Sequence, residues 1–293
     1  MKEIVELTQK DERYPKLLSQ IHDTPKTLYC RGNLDLLESD CFAVVGTRKL
    51  TSYGKETTNN IVGGLVGAGF TIVSGLAMGI DAVAHQAALD WGGKTIAVLG
   101  TGIKNIYPPS NINLANEILN SNGLIISEYA ENEPGYKSNF PERNRIISGL
   151  SRGVLVVEAD EISGSLITAK CALDQNRDVF AIPGSIFSTR SIGPNKLIRQ
   201  GAKLVTSVQD ILDEYSANLE LFGPPVGSKR TPLSTKDPVQ INILAILDKN
   251  GAMHIDDVVR ESQNETSKII AALSVLEIKG IVKNLGNGKY RIS

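Results

Sequence analysis

Cysteine and histidine are scarce in this sequence, with three of each among 293 residues. Cys30, Cys41 and Cys171 form no CxxC pair, and His22, His85 and His254 lie far apart, so neither a disulfide framework nor a zinc site is encoded. That pattern fits a reducing compartment. Long apolar runs are missing as well. The opening MKEIVELTQKDERYPKL carries charges throughout, where a signal peptide needs an uninterrupted apolar core, so the cytoplasm is the expected location and no membrane partner is expected. An excess of either charge is also absent: 31 Lys+Arg stand against 32 Asp+Glu, a net charge of -1. The field of the whole molecule therefore attracts no polyanion, and any nucleic-acid contact must come from a local cationic patch. Neither the dinucleotide fingerprint GxGxxG nor the P-loop GxxxxGK[ST] occurs, and no cofactor is expected.

What is present is a repeated alternation. The short apolar runs FAVVGT, TIVSG, TIAVLG, LIISEY, GVLVVEA, DVFAIPG and AKLVTS are separated by segments of helical period such as AMGIDAVAHQAALD and SLITAKCALDQN. Strands that are apolar on both faces predict an α/β, Rossmann-like, mostly parallel sheet covered by helices, here over residues 40–221. Ligands of such a sheet gather at the C-terminal ends of its strands, where helix N-termini converge. Residues 1–39 are too few to bury a core of their own and are expected to pack on this domain as an extension. Residues 222–238 (FGPPVGSKRTPLSTKDP) have linker composition.

Residues 239–293 change pattern to helix, helix, helix, hairpin, with an Asn-Gly turn, and resemble a winged helix. The helix ETSKIIAALSVLEIKG is expected to bury Ile269, Ile270, Leu273, Leu276 and Ile278, leaving Glu265, Lys268, Ser274 and Glu277 outside. That outer set is poor material for reading base edges. Only the last stretch, with Lys279, Lys283, Lys289 and Arg291, is cationic, which leaves DNA contact by the wing and a protein-docking role both open.

Three segments carry candidate binding chemistry. In VVGTRKLTSYG, Gly46 permits close backbone approach and Arg48 supplies a cation at a strand-to-helix turn. The stretch YKSNFPERNR combines Lys137, Arg143 and Arg145 with Asn139, Asn144 and Phe140, the cations and flat ring that a single strand needs. A plainer reading stands beside it: Phe140 as core, and the arginines paired with Glu128, Glu142 or Glu158. In ISGSLITAK, Ser163, Ser165 and Thr168 could donate to a phosphate from a first helical turn, and Lys170 shares the helix. Ser163 there could equally be a cap. Asp81 fits a loop organiser better than a DNA ligand, because a carboxylate repels phosphate. His85, in an alanine-rich helix, fits a hydrogen-bonded core histidine better than a catalyst.

Taken in order, VVGTRKLTSYG, VSGLAMGIDAVAHQAAL, TIAVLGTG with IYPPSN, FPERNRIISGLS, VLVVEADEISGSLITAKCAL, VFAIPGS and GPNKLIRQGA resemble the DNA-processing protein family, DprA or Smf, from about Tyr14 to Leu212. The resemblance implies a Rossmann-like core that binds single-stranded DNA without cleaving it, forms a homodimer and helps load the RecA recombinase during natural transformation. It places Leu197, Ile198 and Ile211 at the two-fold interface. Many members carry a further small helical domain before the YPKLL segment, whereas about a dozen residues precede Tyr14 here. After GTG the family more often has an acidic residue, where this chain reads Ile103, Lys104, Asn105 and Ile106. The alternative is a nucleotide hydrolase of the phosphoribohydrolase kind, but ADEISGSLITAK lacks that group's PGGxGT loop and following Glu, and no base, nucleophile and acid come together in the sequence.

Overall fold

The computed structural model describes residues 3–215, 237–262, 264–278, 281–284, 286 and 288–292. The chain divides into two units, Met1–Val226 and Gly227–Ser293. In the first, all seven apolar runs are strands: β3 (Cys41–Val45), β4 (Thr71–Ser74), β5 (Thr95–Leu99), β6 (Leu124–Ser127), β7 (Gly153–Val156), β8 (Asp178–Ala181) and β9 (Lys203–Leu204). They are mutually parallel, in the order β6-β5-β4-β3-β7-β8-β9. Every residue of β3 to β7 is buried. The period-2 alternation of a strand then feeds two cores. Ala43 and Val45 point to the face covered by α5 (Asn139–Gly149), α6 (Gly164–Asp174) and α7 (Ile192–Arg199), whereas Phe42 and Val44 meet α2 (Ser52–Gly67) and α3 (Ile80–Asp90) on the other. The helix α4 (Ile112–Asn120) closes that second face over β5 and β6.

The N-terminal residues also extend the sheet: β1 (Ile4–Thr8) pairs antiparallel with β2 (Thr27–Gly32), which pairs antiparallel with β6. Tyr14, Leu18 and Ile21, from the segment between these strands, join the core that contains Ile146 and Ile147 of α5. Backbone chemistry at the helix ends follows the sequence. Thr51 caps α2 by accepting from Gly54 N at 3.1 Å, and Asn176, after α6, takes the left-handed conformation at φ 56° that asparagine tolerates.

Two of the three expected interface residues are covered by their own chain. Ile211, in α8 (Gln209–Leu212), is 0% exposed in the core with Phe180 and Tyr215, and Leu197 is 9% exposed against the opposite face, so neither retains surface for a partner. Ile198 is half-buried.

The second unit is a winged helix: α9 (Pro238–Asn250), a short β10 (Met253–His254), α10 (Ile255–Ser262), α11 (Thr266–Ile278), β11 (Val282–Asn284) and β12 (Lys289–Ile292), the strands ordered β10-β12-β11. Asp237 caps α9, and Pro238 at its first position lacks the N–H that would have no partner there. Ile269, Leu273 and Leu276 form the core as expected, but Ile270 is 49% exposed, because it falls beside rather than on the inward stripe of α11. The expected linker, apart from Asp237 and Pro238, lies outside the described residues, as does Lys279.

Candidate functional site

Strand order reverses between β3 and β7. From β3 the chain steps outward through β4, β5 and β6, and α5 then carries it back to β7 on the other side of β3. Loops leaving these neighbouring strands therefore diverge, and a crevice opens at their C-terminal ends. A cavity of about 540 Å³ occupies that position. Its walls come from Val45 at the end of β3 with Gly46 and Arg48 after it, Ala77 and Asp81 after β4, Tyr107 after β5, Lys137 before α5, Phe140, Arg143, Asn144 and Ile147 on it, and Ile162, Ser163, Ser165 and Thr168 at the start of α6.

One buried carboxylate fixes the loops of this wall. Asp81 accepts from Gly75 N at 3.1 Å and also from the backbone N–H groups of Ala77 and Gly46, tying the β3 and β4 loops together. Burial raises its pKa, and the nearby Arg143 guanidinium works against that rise. Arg143 itself is 4% exposed and donates to the Gly75 carbonyl at 2.8 Å and to the Val98 carbonyl. Its burial outweighs Asp81 and, with Arg48 adding repulsion, brings its pKa down to about 10. Arg143 thus supports the cavity wall as well as giving it positive charge. Glu158 plays the corresponding part across the crevice, accepting from Thr51 N at 2.9 Å and Thr51 Oγ1 at 2.5 Å, so that the β7 loop grips the start of α2.

His85 is fully buried, with Thr95 Oγ1 2.7 Å from its Nδ1. Thr95 already donates to the Ile72 carbonyl at 2.7 Å, so Nδ1 carries the proton and Nε2 accepts from Leu76 N at 3.3 Å. Burial lowers its pKa to about 3, Arg143 adding to the effect. Both ring nitrogens are engaged with the protein, and the residue holds the Leu76 turn (φ 54°) in place.

Against this frame the sequence-derived candidates separate. Gly46 lines the cavity where a side chain could not fit, since a Cβ there would lie 2.6 Å from Ile80 Cγ1 and 2.9 Å from the Glu158 carbonyl. Arg48 and Lys137 are exposed cavity residues and take part in no ion pair among the described residues. Phe140 is half-buried: its ring lies over Gly100, where a Cβ would come within 2.8 Å of it, stands 5.4 Å from the Tyr107 ring and has the Arg48 guanidinium 6.0 Å above it. It is both packed and presented. Asn144 lines the cavity and donates to the Gly164 carbonyl at 3.2 Å, fastening α5 to α6. Ser163 caps α6, its Oγ 2.8 Å from that of Ser165, and both line the cavity with Thr168.

Three candidates lie apart from the cavity lining. Arg145 turns away from it and is held by Glu128 (2.7 Å) and Asp23 (2.7 Å). Burial opposes its charge, but these two carboxylates raise its pKa above the ordinary range. Asn139 is 5% exposed and its Nδ2 has no partner. Lys170 is exposed farther along α6. Sequence reasoning overlooked Tyr107 and Ile162 as wall residues; the signal for Tyr107 was its place just after a strand, in IYPPSN.

The assembled surface offers a helix N-terminus, hydroxyl donors, exposed Arg48 and Lys137, and an aromatic pair at its edge. That is a site for an anionic ligand with flat, apolar parts. The sequence matches the family described as DNA recombination-mediator protein A over residues 6–216 and the DprA winged helix domain over residues 227–288. The DNA processing protein DprA of Streptococcus pneumoniae is 52% identical over 205 residues, spanning 70% of this chain and 72% of that protein. Protein Smf of Escherichia coli K12 is 41% identical over 284 residues, 96% of this chain and 75% of that one. Among solved structures, DprA from Streptococcus pneumoniae superposes with a TM-score of 0.69 at 49% identity, covering 72% of this chain and 74% of that chain. DNA processing protein A from Helicobacter pylori, solved to describe its single-stranded DNA binding mode, gives 0.66 at 33% identity, covering 74% and 99%.

Proposed function

This chain belongs to the DNA recombination-mediator protein A family, and from that premise we propose that its core grips single-stranded DNA in the cavity between β3 and β7 without cleaving it. The observation that carries the reading is that Arg48 and Lys137, exposed and outside any ion pair among the described residues, line one cavity with Phe140, the Arg48 guanidinium 6.0 Å over its ring, at the strands' C-terminal edge. Phosphates meet the cations and the α6 N-terminus, and a base meets the ring. The reading is of binding rather than hydrolysis. Asp81, Glu158 and His85, three acid–base groups around the crevice, are each engaged in holding loops.

Two further steps belong to the same proposal. The chain acts as a homodimer through the free edge of β9, where Leu204 is 48% exposed near half-buried Ile198, so that one strand crosses two sites and gains effective concentration. Held this way, the strand is delivered to the RecA recombinase in the cytoplasm. In the described residues no helix is long and apolar enough to cross a membrane.

The test is a titration of an oligothymidine at several salt concentrations. Counterion release predicts a slope of about 0.7 per phosphate neutralised, so Arg48→Ala and Lys137→Ala should each flatten it. An unchanged slope in both removes this cavity from contention, and equal affinity for a blunt duplex counts against the single-strand reading.

A further inference from the structure

At the same edge of the sheet stand three large apolar side chains that packing does not account for: Ile162 (96% exposed), Ile186 (83%) and Phe187 (93%). Ile162 lines the cavity, in the loop after β7. Ile186 and Phe187 form the tip of the loop after β8, residues 183–191, and that loop is firmly built. Its first stem is fixed where Tyr53 Oη donates to the Pro183 carbonyl at 2.9 Å, and where Asn195 exchanges bonds with Gly184 at 3.2 and 3.0 Å. Within it, Phe187 N donates to Ser185 Oγ at 3.2 Å and Ser188 N to the Ser185 carbonyl at 3.0 Å. Its second stem is joined to the cavity's own wall: Ala159 N donates to the Arg190 carbonyl at 2.8 Å, and the Arg190 guanidinium pairs with Asp160. A hydrogen-bonded loop thus holds two adjacent apolar side chains in water, next to a cavity that takes an anion. Large apolar groups kept exposed on a fixed frame mark a contact surface.

We propose that Ile162, Ile186 and Phe187 form an apolar lip that receives unpaired bases of the strand whose phosphates occupy the cavity. The proposal rests on the single-strand reading above and extends the path of the strand from the Tyr107–Phe140 side, across the crevice, to the β8 side. Local charge selects bases over phosphates here. The tip is flanked by the neutral Ser185, Ser188 and Thr189, the Arg190 and Asp160 charges cancel in their ion pair, and Glu161 beside Ile162 repels backbone phosphates toward Arg48 and Lys137. Every base has a π-face, so an apolar lip of this kind binds without reading sequence.

The experiment is an anisotropy titration of the full chain and its Phe187→Ala, Ile186→Ala and Phe187→Trp variants at fixed salt. The probes are an oligothymidine and an abasic strand of equal length. Phe187→Ala should weaken oligothymidine binding by roughly tenfold, the scale of one lost base stack, and leave the abasic strand and the salt slope unchanged. Phe187→Trp should keep wild-type affinity. Undiminished binding by both alanine variants overturns the lip while leaving the cavity reading intact, as does an equal loss on the abasic strand. A change in solution mass without a change in DNA affinity makes the lip a protein interface and also overturns it. Failure of the unaltered chain to bind either probe overturns both readings.

Discussion

Replacing Arg143 with methionine separates support of the cavity from contact with its ligand. The substitution keeps most of the side-chain volume but removes a guanidinium that is 4% exposed and donates to the Gly75 and Val98 carbonyls beside Asp81. Asp81, itself 7% exposed and held by backbone N–H groups, would then lose the nearby positive charge that favours its ionised form. A buried acceptor that loses its donor costs about 1–3 kcal/mol, and the Gly75 and Val98 carbonyls both lose this one, a large share of the 5–15 kcal/mol that typically holds a domain together. The loss should depend on pH. Burial already raises the Asp81 pKa and Arg143 opposes the rise, so the variant's Asp81 lies higher still. An acid whose folded pKa is raised favours folding below its unfolded value, near 4, and that contribution is lost as pH climbs through the folded value. The deficit of Arg143→Met relative to the unaltered chain should therefore be largest near pH 8 and shrink toward pH 5. Since Arg143 also lowers the His85 pKa, the carboxylate is isolated by adding Asp81→Asn, which should recover much of the deficit at pH 8. Urea unfolding of the single and double variants at both pH values is the assay. A deficit below about 1 kcal/mol, the size of an ordinary point substitution, would refute this reasoning, as would a pH-independent deficit that Asp81→Asn does not relieve.

His85, with a folded pKa near 3 against the ordinary 6.5, contributes stability above pH 6.5 that is lost as pH falls toward 3. His85→Leu should cost about 1–3 kcal/mol at pH 8, by stranding Leu76 N and Thr95 Oγ1. Its urea midpoint should then fall less between pH 6.5 and 4.5 than that of the unaltered chain, and an equal fall would contradict this assignment. Leu204→Asp combined with Ile198→Asp should halve the mass in solution and leave the fold intact, whereas Ile211→Asp should unfold the core; a mass unaffected by the first pair removes the β9 edge as the interface. Deleting residues 236–293 should leave a folded core that binds oligonucleotides at fixed salt with less than about tenfold loss. Binding that instead follows the C-terminal unit would contradict the assignment around Arg48.

The strands that could be read from the sequence are those buried on both faces. FAVV, TIAVL and LIIS admit no polar residue beyond a terminal Thr or Ser, because helices cover both sides of β3, β5 and β6. IVELT and TLYCRG escaped notice because β1 and β2 lie at or next to the sheet's edge, half-exposed, where Glu6 and Arg31 cost little. The same reasoning explains Ile211 and Ile270. An isoleucine in a short helix carries no label for which neighbour covers it, so Ile211 proved to be core and Ile270 surface.

The candidate segments could be picked out as a group and were ambiguous one by one, and Arg143 and Arg145 show the physical reason. Two positions apart on α5, they are separated by about 200° around the helix axis, so the helix that turns one toward the strand ends must turn the other away. Their partners decided which was which: Glu128, after the end of β6, was among the partners the sequence offered, whereas Asp23, from the segment after α1 (Lys16–Ser19), and the Gly75 carbonyl, after the end of β4, carry no such mark in the sequence. What the sequence does carry is the position of the crevice. Once β3 lies between β4 and β7, the loops beginning at Gly46 and Val157 must part, and the donors that follow them, Arg48 and Ser163, line the same opening whatever motif they belong to. The cavity is thus a consequence of strand order. The preference for a nucleic acid strand that we propose for it rests on a few side chains of its lining, Arg48, Lys137 and Phe140 foremost.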